Sequence, residues 1–259
     1  MPNIKMLLSG HKPVIGSWIN SASPIIAELM AATGFDFLTV DVEHSAVDLV
    51  QTQALFQAIK SGNPRCAALV RLAGNSYADT KRYLDAGAAG VIAPFINTAD
   101  QARELIRSVK YPPLGMRGVG FCRANLYGMT LKESVAVAND ETFVCVQIEH
   151  IEAVRNIDEI LKVPGIDAVI IGPYDLSASM GITAQFDHPD MISAIDTIGA
   201  ACKRHGVVAG IHVVQPDVAE VINRFKSGYR FIAYSLDITM LMNACTIGLS
   251  EIRKQISVE

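Results

Sequence analysis

Asp41, Glu43 and His44 fall together at the end of the apolar stretch FDFLTVDV. A carboxylate beside an imidazole is suited to moving protons near neutral pH, because the acid stabilises the charged ring and the ring's ordinary pKa lies close by. A second pair, Glu149 after VCVQI and Asp175 after IIGPY, sets two hard oxygen donors at the ends of two further apolar runs. Mg2+ or Mn2+ commonly takes one or two protein carboxylates and completes its shell with water and substrate oxygens. Either residue could instead cap the helix that follows it. Arg71 lies in LVRL, where a buried guanidinium needs an anion. That anion is a substrate oxygen, or a carboxylate such as Asp85 or Glu43, or both in turn.

These residues can meet only if the chain brings strand ends together. Runs rich in Val, Ile and Phe at 13–19, 35–42, 67–72, 90–96, 143–149, 168–173, 207–214 and 231–236 alternate with segments of helical periodicity. Pro24 opens one such helix, which stops near Gly34, and Thr98 is an N-cap for another. Eight β/α alternations without a Pro/Ser-rich linker predict an α/β fold with a single (β/α)8 barrel; a doubly wound open sheet is the competing arrangement. In a barrel the chemistry sits at the C-terminal ends of the strands. There the sequence places Trp18, Asn20, Asp41, Glu43, His44, Arg71, Gln147, Glu149, Asp175, His212 and Asp237. Residues 111–142 form a long connection, and long connections in compact domains are commonly functional.

Composition narrows the partners. The chain has 259 residues, half of them hydrophobic, and a formal charge of -4, with no basic stripe that would mark a nucleic-acid or acidic-membrane surface. No run approaches the roughly 18 apolar residues of a membrane span. The five cysteines are scattered without a C-x-x-C pair, and no secretory leader is evident, so a reducing, cytoplasmic setting is expected. Every lysine falls outside the predicted strands, which leaves no amine placed for a Schiff base. The loops after the seventh and eighth strands lack a glycine-rich phosphate cradle, so an unphosphorylated substrate is expected.

With these residues in place, the chain resembles the HpcH/HpaI family of metal-dependent pyruvate aldolases. The resemblance runs nearly end to end through GFDFLTVDVEH, LDAGAAGVIAPF, YPPLGMRGVG, VQIE and IGPYDLSASMG. It implies a TIM barrel of the phosphoenolpyruvate/pyruvate-domain type over residues 1–259, with the last helix, about 238–256, exchanged within a hexamer built as a trimer of dimers. It implies a class II aldolase that reversibly cleaves a 4-hydroxy-2-oxo acid to pyruvate and an aldehyde. Glu149 and Asp175 would hold Mg2+, Mn2+ or Co2+. Gln147, with Gly172, Pro173, Tyr174 and Asp175, would lie near the pyruvate carboxylate, and Arg71 would hold the keto oxygen. His44, paired with Asp41 and with Asp85 across the site, would move protons. Trp18, His212 and, in the long connection, Arg123 would face the substrate; Arg123 could equally form a surface ion pair.

The chain departs from many relatives in carrying Val42 for Gly, His150 for Thr or Ser, and His212 for an apolar residue. His212 therefore points to a polar or acidic aldehyde rather than an aliphatic one, or else is a satisfied structural histidine. An acyl-CoA lyase of the citrate/malyl lyase type is an alternative enzyme, although no basic cluster for the CoA phosphates is evident. A non-catalytic metabolite-binding barrel is the third reading.

Overall fold

Strands buried on both faces read as unbroken apolar runs, and eight such runs form the wall of this fold. The computed structural model describes residues 3–10 and 12–256. The strands are β1 (Val14–Ile19), β2 (Phe37–Asp41), β3 (Ala67–Arg71), β4 (Gly90–Ala93), β5 (Phe143–Ile148), β6 (Ala168–Ile171), β7 (Val208–Val213) and β8 (Phe231–Leu236). All pair in parallel in sequence order, and β8 closes onto β1 to make a barrel. β4 stops at Ala93 rather than at 96, because Pro94 has no N–H for the ladder and Phe95 turns into the left-handed region with φ 54°.

The helices are α1 (Ile4–Leu8), α2 (Pro24–Ala32), α3 (Leu49–Gly62), α4 (Tyr77–Asp85), α5 (Ala99–Val109), α6 (Leu131–Glu141), α7 (Ile151–Arg155), α8 (Ile157–Leu161), α9 (Pro173–Ser179), α10 (Pro189–His205), α11 (Val218–Lys226) and α12 (Asp237–Ile256). Local chemistry fixes several of their starts. Ser23 caps α2 with Pro24 in its first turn, and capping boxes join Asp48 to Gln51 at α3 and Thr98 to Gln101 at α5.

Two apolar layers follow. Inside the barrel, Trp18, Phe37, Leu69, Phe143, Ile170 and Phe231 pack as one cluster, which Ile4 and Leu8 of α1 extend at the N-terminal rim. Phe231 stacks on Phe37 at 4.4 Å and meets Phe143 at 5.2 Å. Gly16 is required beside them, since a Cβ there would lie 2.4 Å from the Phe37 ring. Outside, the helices cover the sheet with a second cluster that includes Leu55, Phe56, Leu105 and Ile198.

The connection between α5 and β5 is structured. It contains a 3-10 segment at Arg123–Gly128 followed by α6. Lys110 clamps its end, with Nζ donating to the carbonyls of Asn139 at 2.6 Å and Thr142 at 3.3 Å. Burial pushes this amine's pKa down to about 8. Lys110 is thus a buried lysine that strand assignment alone overlooked, and it sits outside the barrel mouth. α12 differs from the other long helices: of its residues only Asp237 is buried, and Leu241, Ile247 and Ile252 are exposed.

Removing the keystone ring should leave a void that the barrel cannot close. Phe231→Ala is expected to lower stability by about 3–5 kcal/mol in urea unfolding, and a loss under about 1 kcal/mol would contradict this packing account.

Candidate active site

Register places the first pair of groups. Asp41 and Arg71 are Cα partners at the ends of β2 and β3, so an anion and a cation stand side by side where the ladder stops. Arg71 Nε donates to Asp41 Oδ1 at 2.9 Å and Nη2 donates to Oδ2 at 2.6 Å. The backbone N–H groups of Glu43 and His44 also donate to Oδ1, at 3.0 and 3.2 Å, while Asn20 Nδ2 donates to Oδ2 at 2.8 Å. Burial alone would raise the Asp41 pKa; the guanidinium and the N–H donors more than offset it and hold the carboxyl below its ordinary range.

Asp41 therefore has no oxygen left for the His44 ring, contrary to the expected pairing. The imidazole is 60% exposed, and its Nε2 lies 4.0 Å from Glu43 Oε2. Glu43 is thus the carboxylate beside His44. Its other neighbour is Arg71 Nη1 at 3.1 Å. Burial raises the Glu43 pKa; Arg71 draws it down, while Asp41 and Asp175 add to the rise.

The second pair stands across the barrel mouth. Glu149, just past β5, is 2% exposed. Its Oε1 accepts from Phe95 N at 2.8 Å, and its Oε2 accepts from Gln147 Nε2. The left-handed backbone at Phe95 serves this contact by turning its N–H onto the carboxylate. Burial raises the Glu149 pKa against these two donors, and Glu43 and Asp175 raise it further. Gly172 leaves the space that Glu149 fills, for a Cβ there would lie 3.0 Å from its Oε2. Asp175 enters from the first turn of α9.

A cavity of about 350 Å³ opens at this rim, lined by Trp18, Asp41, His44, Arg71, Gln147, Gly172, Pro173, Tyr174, Asp175 and His212. Trp18 carries the Arg71 guanidinium 4.3 Å from its ring centroid and the His212 ring stacked at 4.8 Å. Asp237 has a different task. It accepts from the backbone of Asn20, Ser21 and Ile238, tying the end of β1 to the start of α12.

The donor set fits a hard divalent cation. Glu149 has only neutral hydrogen-bond donors, and neighbouring carboxylates push its pKa up, so the group lacks countercharge. No three His, Cys, Asp or Glu side chains converge into a complete cage among the described residues. An ion here would have to be held by two carboxylates and otherwise by water or substrate oxygens.

Two expected site residues lie elsewhere. Asp85 ends α4 and pairs with Arg117 Nη2 at 2.8 Å and Lys81 Nζ at 3.8 Å. Arg123 Nη1 donates to the Ala86 carbonyl at 3.0 Å. Helices run back against the strands, so the end of α4 and the α5–β5 connection belong to the N-terminal rim, opposite the cavity. Within one chain, neither residue reaches His44 or the aldehyde side of the pocket. Phe95 is the contributor that sequence reasoning left out of the site, and Glu43, expected at this rim as a partner for Arg71, is also the carboxylate beside His44. Glu43 was visible between Asp41 and His44, whereas the Phe95 N–H carries no side-chain signal.

A sequence profile of the family described as HpcH/HpaI aldolase/citrate lyase matches residues 14–244. The chain is 36% identical to a 4-hydroxy-2-oxo-heptane-1,7-dioate aldolase of Escherichia coli over 93% of this chain and 91% of that one. It is 38% identical to a hydroxypyruvate/pyruvate aldolase of Sagittula stellata, covering 95% and 96%. An HpcH/HpaI aldolase/citrate lyase family protein from Burkholderia cenocepacia superposes with a TM-score of 0.93 at 34% identity, covering 98% of this chain and 100% of the other.

The Asp41 carboxyl stabilises the fold fully above the ordinary carboxylate pKa, and that contribution disappears as pH falls through its lowered value. Asp41→Asn should therefore lose about 3–5 kcal/mol at neutral pH, with a smaller difference from wild type at about pH 3. Equal urea midpoints at neutral pH would contradict the pairing.

Proposed function

The chain belongs to the HpcH/HpaI aldolase/citrate lyase family and is a carbon–carbon lyase, and on that premise we propose a residue-level account of a class II pyruvate aldolase. The reaction is reversible cleavage of a 4-hydroxy-2-oxo acid to pyruvate and an aldehyde. The observation that carries the account is a fixed guanidinium on the cavity together with Glu149, a buried carboxylate that lacks countercharge and accepts from Gln147 of the cavity wall.

Glu149 and Asp175 would hold Mg2+, Mn2+ or Co2+, which when bound would polarise the substrate's keto and carboxylate oxygens and offset the local negative charge. Arg71 is locked by Asp41 on two nitrogens, and its remaining N–H groups bind the keto oxygen. That oxygen gains negative charge as the C3–C4 bond breaks and the electron pair moves into the enolate, so a donor already in place needs no reorganisation. His44 takes the proton of the 4-hydroxyl as the aldehyde carbonyl forms. Returning a proton to C3 completes pyruvate and balances the reaction. Glu43, 4.0 Å from the ring, stabilises the charged imidazole between these transfers. The backbone at Gly172, Pro173, Tyr174 and Asp175 lies beside Gln147 on the wall proposed for the pyruvate carboxylate.

α12 is proposed to dock on a second copy of the chain within a hexamer built as a trimer of dimers, which would cover Leu241, Ile247 and Ile252. Any part for Asp85 or Arg123 in substrate turnover would then come from a neighbouring copy. The protein is proposed to work in the cytoplasm on small molecules; no described helix is long and apolar enough to cross a membrane, and the five cysteines are free.

Two measurements test the assignment. Mg2+ or Mn2+ should raise the melting temperature of metal-stripped protein, and Glu149→Gln or Asp175→Asn should lose both this shift and pyruvate release from a 4-hydroxy-2-oxo acid. Retention of both in either variant would refute the ligand pair. His44→Ala should keep the metal-induced shift while pyruvate release slows by about 10²–10⁴-fold; an unchanged rate would place the base elsewhere.

A further inference from the structure

His212 stands on the cavity wall with its ring within 3° of parallel to Trp18. Its Nε2 lies 3.1 Å from the carbonyl oxygen of Ser235. A carbonyl can only accept, so Nε2 carries the proton and Nδ1 of the neutral ring keeps its lone pair. Burial pushes the imidazole pKa down to about 4, which makes this the form present near neutral pH.

The backbone is built to hold that tautomer. Ser235 has φ 52°, and the pairing of β8 with β1 shifts register between Gly16 and Trp18. A left-handed residue inside a strand is unfavourable by about 1–2 kcal/mol, so the surrounding contacts must impose it. They do: Ser235 Oγ donates to the Val214 carbonyl at 2.9 Å, and Ser17 Oγ donates to the Ser235 carbonyl at 3.1 Å. The turned carbonyl thereby faces Nε2. Nδ1 has no partner among the described residues and is not sealed off from the cavity. The cavity lining also includes the apolar Val214 and Leu236. At this rim Asn20 Nδ2 is engaged by Asp41 and Gln147 Nε2 by Glu149, while the buried Trp18 Nε1 and Asn20 Oδ1 have no partner among the described residues.

We propose that His212 selects the aldehyde half of the substrate, its Nδ1 accepting a hydrogen bond from a hydroxyl next to the aldehyde carbon, so that α-hydroxyaldehydes are preferred. The inference rests on the pyruvate-lyase reading of this pocket. A bare lone pair gains nothing from a methyl group and repels a carboxylate, so the acidic aldehyde expected from the sequence is the disfavoured one.

Glycolaldehyde and propanal differ by a hydroxyl in place of a methyl, which makes them the probes for metal-loaded enzyme adding pyruvate. Wild type should prefer glycolaldehyde. In His212→Phe, which keeps a ring on Trp18, the ratio of kcat/KM for glycolaldehyde over propanal should fall about tenfold. His212→Asn, whose amide oxygen can stand near the place of Nδ1, should restore most of it. A ratio unchanged in His212→Phe overturns the inference, as does an equal loss with both aldehydes, which would mean that Nδ1 serves the oxygen common to them. Failure of wild type to add either aldehyde would overturn the lyase reading along with it. Independently of any variant, ring 15N shifts of His212 should report a bare Nδ1 between about pH 6 and 8; a protonated Nδ1 would rule the acceptor role out.

Discussion

One forked contact organises the working end of this barrel. Asp41 and Arg71 meet because β2 and β3 are paired residue for residue up to their last positions. The pair spends both carboxylate oxygens and two guanidinium nitrogens on each other. Everything nearby is arranged by what remains. The one spare nitrogen of Arg71, Nη1, faces Glu43, the Trp18 ring rests against the guanidinium, and His212 rests against Trp18. A chain of contacts thus links the group proposed for the keto oxygen to the group proposed for the aldehyde.

The same fork leaves a deficit of positive charge. Its guanidinium is committed first to Asp41, so Glu43 and Glu149 share a low-dielectric corner, with the exposed Asp175 beside it, in which burial and neighbouring carboxylates push both carboxyls up in pKa. Replacing such a corner by apolar residues would cost little in stability, which is why its presence points to chemistry rather than to folding. The fold separates this corner from a second polar group at the opposite rim, where Asp85 meets Arg117 and Lys110 clamps the connection before β5. α12, anchored at its start by Asp237, leaves apolar residues uncovered, and both features direct attention to assembly.

Much of the barrel is legible in the residue order because period and length speak directly: eight apolar runs, each followed by a helical segment, leave few topologies. The cavity residues were legible for the same reason, since polar types at strand ends must share one rim. Within one chain, two expected site residues lie apart from the cavity where rim assignment was set aside. Asp85 and Arg123 follow helices rather than strands, so their place at the far end was implied by their position in the alternation. Pairing was harder to read. Whether Asp41 serves His44 or Arg71 depends on strand register, which no spacing along one chain specifies. The backbone contributions of Phe95 and Ser235 were invisible, because both depend on left-handed conformations at residues whose types do not advertise them.

The central claim is that this corner, once a divalent cation completes its charge, stabilises the enolate of pyruvate with Arg71. Its most direct test is exchange of the pyruvate methyl protons in D2O, followed by NMR with metal-stripped protein before and after addition of Mg2+ or Mn2+. The account predicts no exchange without metal, rapid exchange with it, and persistence of that exchange after treatment with borohydride and pyruvate, because no amine is involved. Exchange that is indifferent to metal, or absent with metal demonstrably bound, would contradict it.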